Sequence, residues 1–200
     1  MMISLLKNID SFDIVLASKS PRRYELLKMI GLDFKVRPSH AEEIYENHMS
    51  PVEYVLDNAH RKGMLVANKL PDSLIISADT IVILNDQILE KPENELHARR
   101  ILQQLSGKTH EVITGFGFTL LEEEKSVFDY ETTKVTFRKL NQTEISAYIE
   151  TGEPFDKAGA YGAQGAGSLL IQKVEGCFYN VVGLPLSKFF MTLDKFLLDI

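Results

Sequence analysis

The 200-residue sequence predicts an α/β protein with a mixed sheet. Strand-like apolar runs alternate with stretches that carry helix caps, the pattern of a sheet covered by helices. Leu74-Ile75-Ile76-Ser77-Ala78 is a continuous apolar run, as a central strand needs when both faces are covered. Asn85-Asp86, after Ile81-Val82-Ile83-Leu84, is the turn of a small hairpin.

The elements follow in order. Asp13-Ile14-Val15-Leu16-Ala17 reads as a buried strand. Ser20 caps a helix, Pro21 suits its first turn, where a missing N–H costs nothing, and Gly31 suits its end. Phe34-Lys35-Val36 alternates like a short strand, and the polar stretch from Pro38 to Met49 reads as a loop. Ser50 and Glu53 have capping-box spacing around Pro51 and open a helix that apolar Val55, Ala59 and Val66 carry to about Leu70. After the strand at 74–78 and the hairpin, Glu95 to Leu105 is a helix closed by Gly107. Val112–Leu121 and Val127–Phe137 are β-rich, with acidic Glu122-Glu123-Glu124-Lys125 as the turn between them. Asn141 and Glu144 start a short helix, Leu169-Leu170-Ile171 is a strand, and Pro185 to Leu198 is a final amphipathic helix. No linker interrupts the chain, so residues 1–200 are expected to be a single domain with its core at about 13–197.

Hydrophobic residues are 44% and charged residues 25%, which excludes a disordered or fibrous chain. Acids outnumber bases 28 to 22, for a net charge of −6, which argues against a coat for nucleic acid or for an anionic membrane. Cys177 is the only cysteine, so no intramolecular disulfide forms. The first ten residues lack a basic segment followed by an apolar run, and no stretch approaches the ~20 apolar residues of a membrane span. The expectation is a cytoplasmic protein.

Standard phosphate motifs fail. Ser106-Gly107-Lys108-Thr109 imitates the end of a P-loop, but Leu102 stands where the first glycine belongs and no strand precedes it; a helix end followed by a turn is the simpler reading. Gly162 to Gly167 does not match the dinucleotide fingerprint, and the histidines lack metal spacing.

Three stretches do carry chemistry. Ser18-Lys19-Ser20-Pro21-Arg22-Arg23 lies between a strand and a helix N-terminus, where free N–H groups and a positive partial charge favour anions. A polyphosphate would use those groups and both guanidinium forks; the alternative is two arginines reaching into water. Ala78-Asp79-Thr80 ends the central strand, the edge where α/β sheets place ligands, and its carboxylate could hold a divalent cation or accept a proton from water. Glu42-Glu43, in the loop after the second strand, offers a second carboxylate or a solvated acidic pair. Pro154 to Gly165 mixes charge, small residues and the Gln164 amide, which can donate to and accept from a pyrimidine edge.

Taken together, LASKSPRRYELL at 16–27, HAEE at 40–43, HRKG at 60–63, ISADTIVILNDQILEKP at 76–92, LSGKTHEVITG at 105–115, EPFDKAGAYGAQG at 153–165 and VVGLPLS at 181–187 resemble the Maf family of nucleoside triphosphate pyrophosphatases, in family order and over nearly the whole chain. The resemblance implies a Maf / ITPase-like fold: a mixed twisted sheet flanked by helices, with two lobes around a central cleft. It implies hydrolysis of a nucleoside triphosphate to the monophosphate and pyrophosphate, assisted by a divalent metal cation such as Mg²⁺ or Mn²⁺. Asp79 then matches the proton acceptor that activates water, and Glu43 and Asp79 the cation ligands. Arg22, Thr80 and Gln164 match the positions that set base specificity. Ser18, Arg23, Lys62, Lys91, Asp156 and Lys157 match other residues of the family's substrate cleft. The ADT and DKAGAYGxQG wording resembles the branch acting on dTTP, UTP and modified pyrimidine nucleotides. Partners implied are a small-molecule nucleotide, with neither nucleic acid nor membrane, and a homodimer, common in the family, is compatible with the chain.

The chain departs from the family at Lys62-Gly63, where Lys-Ala is usual, and at Asn58-Ala59, where Leu-Ala is usual. Glycine within a helix costs roughly 1 kcal/mol against alanine, which questions the rigidity behind Lys62. His40 replaces another polar or acidic residue, so the second carboxylate rests on Glu43 alone. A second hypothesis keeps the fold but makes the chain a nucleotide-binding regulator of cell division, a septum formation inhibitor with little catalysis. A third directs the same scaffold to a purine such as 7-methyl-GTP.

Overall fold

The caps expected from sequence form as written. In the computed structural model, which describes residues 3, 6, 9–42 and 49–200, Ser20 accepts from the Arg23 N–H and opens α1 (Pro21–Met29). Ser50 and Glu53 make a reciprocal capping box at the start of α2 (Pro51–Ala67). Asn141 and Glu144 do the same for α4 (Gln142–Glu150), and Asn94 caps α3 (Glu95–Leu105). Each such cap satisfies N–H groups that a helix start otherwise leaves to water. The short α5 (Phe178–Val182) and α6 (Leu186–Leu198) complete the helices.

The strands are β1 (Ile14–Leu16), β2 (Lys35–Val36), β3 (Leu74–Leu84), β4 (Gln87–Leu89), β5 (Thr109–Leu120), β6 (Lys125–Phe137) and β7 (Ile171–Glu175). They form one seven-stranded sheet in the order β2-β1-β3-β5-β6-β7, with β4 also on β3. β1 is parallel to β2 and to β3, whereas β3–β4 and β6–β7 are antiparallel, so the sheet is mixed as expected.

Three local expectations need correcting. β3 does not stop at Ala78: it runs unbroken to Leu84, because its first part pairs with β1 at residues 74–76 and its last part with β4 at 82–84. Asp79 therefore sits in mid-strand, between those two stretches of pairing, and not at a strand end. Leu169-Leu170 are not strand; they end a 3₁₀ turn, Gly165–Leu170, and β7 begins at Ile171. The helix α5 has no counterpart in the sequence reading. Its buried Asn180 donates to the Val112 carbonyl and to Thr133 Oγ1, distant partners that no local pattern announces. The Ser106–Thr109 stretch is the expected helix end and turn, with Gly107 at φ +70° and Thr109 entering β5.

The chain divides into two compact units, each assembled from separate stretches. The first comprises Met1–Asp79, Thr114–Glu131 and Gly183–Ile200. Within it α2 packs on β3 and β5, and glycines set the distance. A Cβ on Gly63 would stand 2.8 Å from Ser77 Oγ, and one on Gly115 would stand 2.7 Å from the Val55 carbonyl oxygen. The departure at Gly63 thus leaves room for the Ser77 hydroxyl beneath Lys62, which an alanine would make rotate aside. Phe116, Phe118, Phe189 and Phe196 stack in the same unit, Phe118 and Phe189 edge to face at 5.0 Å.

The second unit comprises Thr80–Ile113 and Thr132–Val182. Its core gathers Val82, Leu102, Leu105, Phe137, Ile145 and Tyr161 among others. His110 lies inside it, 2% exposed, its Nε2 2.7 Å from the Tyr161 hydroxyl and its Nδ1 without a hydrogen-bond partner. Burial pulls the His110 pKa down to about 4 from 6.5, because the ring has no water to solvate a charge. The unfolded chain takes up this proton from pH 6.5 downward and the folded chain only near 4. Stability from this group is therefore complete above pH 6.5 and is lost as pH falls towards 4, by about 3 kcal/mol in all. Urea midpoints measured from pH 7 to 4 should fall less steeply in His110→Gln than in the parent; equal slopes would show that His110 protonates freely when folded.

Candidate active site

In the first unit, Asp79 is 6% exposed and both carboxylate oxygens are engaged. Oδ1 accepts from Lys62 Nζ at 2.7 Å and Oδ2 accepts from Asn58 Nδ2 at 3.1 Å. Asn58 and Lys62 are four residues apart on α2, so the helical repeat puts both on the face that covers β3. A carboxylate has about four acceptor directions, and these two bonds leave about two for a water or a cation. The pair is well shielded, with side-chain exposures of 13% for Lys62 and 9% for Asp79. In such surroundings charge attraction is far less damped than in water.

Asn58 is the residue that sequence reasoning misses as a functional contact. The signal lies in its departure from the usual Leu-Ala. A fully buried amide among apolar Val55, Ala59 and Val66 must be answered by a polar partner, and Asp79 is that partner.

Ser18 and Arg23 form a second cluster in this unit. The Ser18 hydroxyl oxygen accepts from Arg23 Nη1 at 3.1 Å and from the Ser20 N–H, while Arg23 Nε donates to the Gly183 carbonyl at 2.9 Å. Ser18 and Arg23 are both buried, so of the two readings of the arginine pair, Arg23 follows neither wholly: it is turned inward and holds Ser18 and the chain before α6. Arg22, beside it, is half-buried. Glu43 lies outside the described residues, as does half of the loop expected at 38–49; Glu42 is exposed.

The remaining predicted residues belong to the second unit. Thr80 follows Asp79 on β3 and is half-buried. Lys91 is exposed, next to buried Pro92. Lys157 Nζ donates to Asp156 Oδ1 and to the Glu153 carbonyl, each at 2.6 Å, and its stem lies against Gly162, where a Cβ would come within 2.9 Å of Lys157 Cε. Gln164 is exposed and occupies the cap position of the 3₁₀ turn Gly165–Leu170, yet its side chain makes no capping bond.

Among the described residues no group of three or more His, Cys, Asp or Glu could enclose a metal ion. The hard oxygens of Asp79 fit a different mode, in which an ion such as Mg²⁺ takes one or two carboxylates and completes its shell with water and substrate phosphates. No helix among those residues is long and apolar enough to cross a membrane.

The family model for Maf-like proteins matches residues 13–196. The chain belongs to the Maf family. Among Maf relatives, the dTTP/UTP pyrophosphatase of Thermoanaerobacter sp. (strain X514) is 48% identical over 183 residues, 91% of this chain and 95% of its own length. Those of Bacillus cereus (strain AH820) and Bacillus anthracis (strain CDC 684 / NRRL 3495) are 46% and 45% identical over 187 residues, 94% of this chain and 97% of theirs. A slighter structural likeness is to the Staphylococcus aureus Ham1 protein, at 14% identity and a TM-score of 0.44 over 62% of this chain and 71% of that one.

Proposed function

We propose that this Maf chain hydrolyses dTTP, UTP and related pyrimidine nucleoside triphosphates to the monophosphate and pyrophosphate. The observation that carries the reading is the buried carboxylate of Asp79, held by Lys62 and Asn58 with acceptor directions to spare. Water placed at one of these gives its proton to Asp79 while its oxygen attacks the α-phosphorus. The bond from that phosphorus to the bridging oxygen breaks, and the electron pair leaves on pyrophosphate. Little covalent help is needed in phosphoryl transfer, so positioning and charge neutralisation supply most of the rate. Lys62 orients Asp79, and Lys91, Lys157 and Ser18 are the groups assigned to the phosphate chain, with Arg23 holding Ser18 in place. Asp79 and Glu43 would hold a Mg²⁺ or Mn²⁺ ion, which would neutralise charge on the phosphates. Gln164, Thr80 and Arg22 are assigned to the O4 and N3–H edge of uracil or thymine, which a cytosine amino group would meet with the wrong donor pattern. The chain works in the cytoplasm, on free nucleotides.

Pyrophosphate release across dTTP, UTP, CTP, 7-methyl-GTP and ITP, with Mg²⁺ or Mn²⁺, tests the whole reading. dTTP and UTP should lead CTP by tenfold or more in kcat/KM. Tight binding of these nucleotides without product would overturn it in favour of a non-catalytic binder, and preference for 7-methyl-GTP would move the chain to another branch.

A further inference from the structure

Gln164 stands where a helix cap belongs, and it does not cap. Ser, Thr, Asp or Asn normally fill this position, their side-chain oxygens accepting the first free N–H groups of the turn. Here those N–H groups bond elsewhere. The carboxylate of Glu153 accepts from the Ala166 N–H through Oε1 at 2.9 Å and from the Gly167 N–H through Oε2 at 3.3 Å. The fit is close: a Cβ on Gly165, whose φ is +66°, would stand 2.6 Å from Glu153 Oε1. Glu153 is itself tied down, since its carbonyl accepts from Lys157 Nζ. The buried Tyr148 hydroxyl accepts from the Gly162 N–H on the near side of the same loop. Its pKa is raised, first by burial and then by the neighbouring Glu153 charge, so it stays a neutral phenol beside the carboxylate.

We propose that Glu153 is a positioning residue for base selection: it caps the 3₁₀ turn from eleven residues upstream of Gln164, and so leaves the Gln164 amide uncommitted and aimed by a rigid backbone. This rests on the reading of Gln164 as a base-contacting residue and adds what holds it in place. A carboxylate shared by two N–H groups fixes both the position and the direction of the turn. With the cap removed, Gln164 can fold back on its own turn, and binding of a correct base must then also order the loop.

The experiment compares Glu153→Gln, Gln164→Ala and the double variant by kcat/KM for UTP and CTP, together with amide hydrogen exchange at Ala166 and Gly167. Gln164→Ala should cut the UTP-to-CTP ratio about tenfold. Glu153→Gln should cut it about fivefold, through a higher KM for UTP with kcat within twofold, and should speed exchange at both amides. The double variant should match Gln164→Ala alone, because Glu153 acts through Gln164; a generally structural role would add its loss to the other. If Gln164→Ala lowers the ratio while Glu153→Gln leaves ratio and exchange unchanged, the positioning role is overturned. If Gln164→Ala is silent, the base-contact reading falls instead, and the exchange data still decide whether Glu153 caps the turn. Should Glu153→Gln not fold, Glu153→Asp, which keeps the charge but is one methylene short, replaces it with the same expected outcomes.

Discussion

Asp79→Asn should lower pyrophosphate release from dTTP by about a thousandfold while nucleotide still binds, because an amide cannot accept the proton that a positioned carboxylate removes from water. The fold should survive at a cost of about 3 kcal/mol, because the shielded Lys62 charge is left without its partner. Asn is the same size, its carbonyl oxygen can still accept from Lys62 Nζ, and the position is 6% exposed in the middle of an eleven-residue strand. Calorimetry with dTTP, next to a turnover assay, separates the two effects. Turnover within tenfold of the parent would remove Asp79 from proton transfer, and lost binding with lost turnover would make it a binding residue.

The second large effect is expected at Lys62. Replacing it with Met keeps the aliphatic stem and deletes the charge, which leaves Asp79 with Asn58 as its remaining described partner. Removing one member of a shielded pair costs about 3 kcal/mol, because the other charge stays behind in poor solvent. Lys62→Met should therefore lower both the thermal midpoint and kcat, the latter by about a hundredfold. The double variant Lys62→Met with Asp79→Asn has no charge left to strand, and should recover most of the stability with none of the activity. A double variant as unstable as Lys62→Met alone would show that the lysine stabilises through contacts other than Asp79.

The two variants also divide the residues into those legible in the chain and those that are not. Short motifs single out Asp79 and Lys62, and the two meet in the structure, although the motif suggests a strand end for Asp79 and the residue stands between the pairings of β3 with β1 and with β4. Asn58 carries a signal, a polar residue where an apolar one is usual, but its target is unreadable. The i to i+4 spacing shows that Asn58 and Lys62 share a helix face, and says nothing of which strand lies under that face. Gly63 looks like a local weakness of α2 and is where the helix lies close over the Ser77 hydroxyl of β3. Adjacency groups Arg23 with Arg22, yet Arg23 points inward to Gly183, 160 residues away. Gln164 and Glu153 both fall within one motif, but nothing in their order says that the acid would take over the cap and leave the amide uncommitted.

The amino-acid order alone determined most element boundaries, the caps, the mixed α/β class and the residue types available for chemistry, since these depend on interactions within about one helical turn or one strand period. Which carboxylate meets which lysine, where a helix comes close enough to require glycine, and which distant acid closes a turn were decided by the tertiary structure. Those contacts join residues from 13 to 160 positions apart, and such distances are set only when strand register and helix packing are complete.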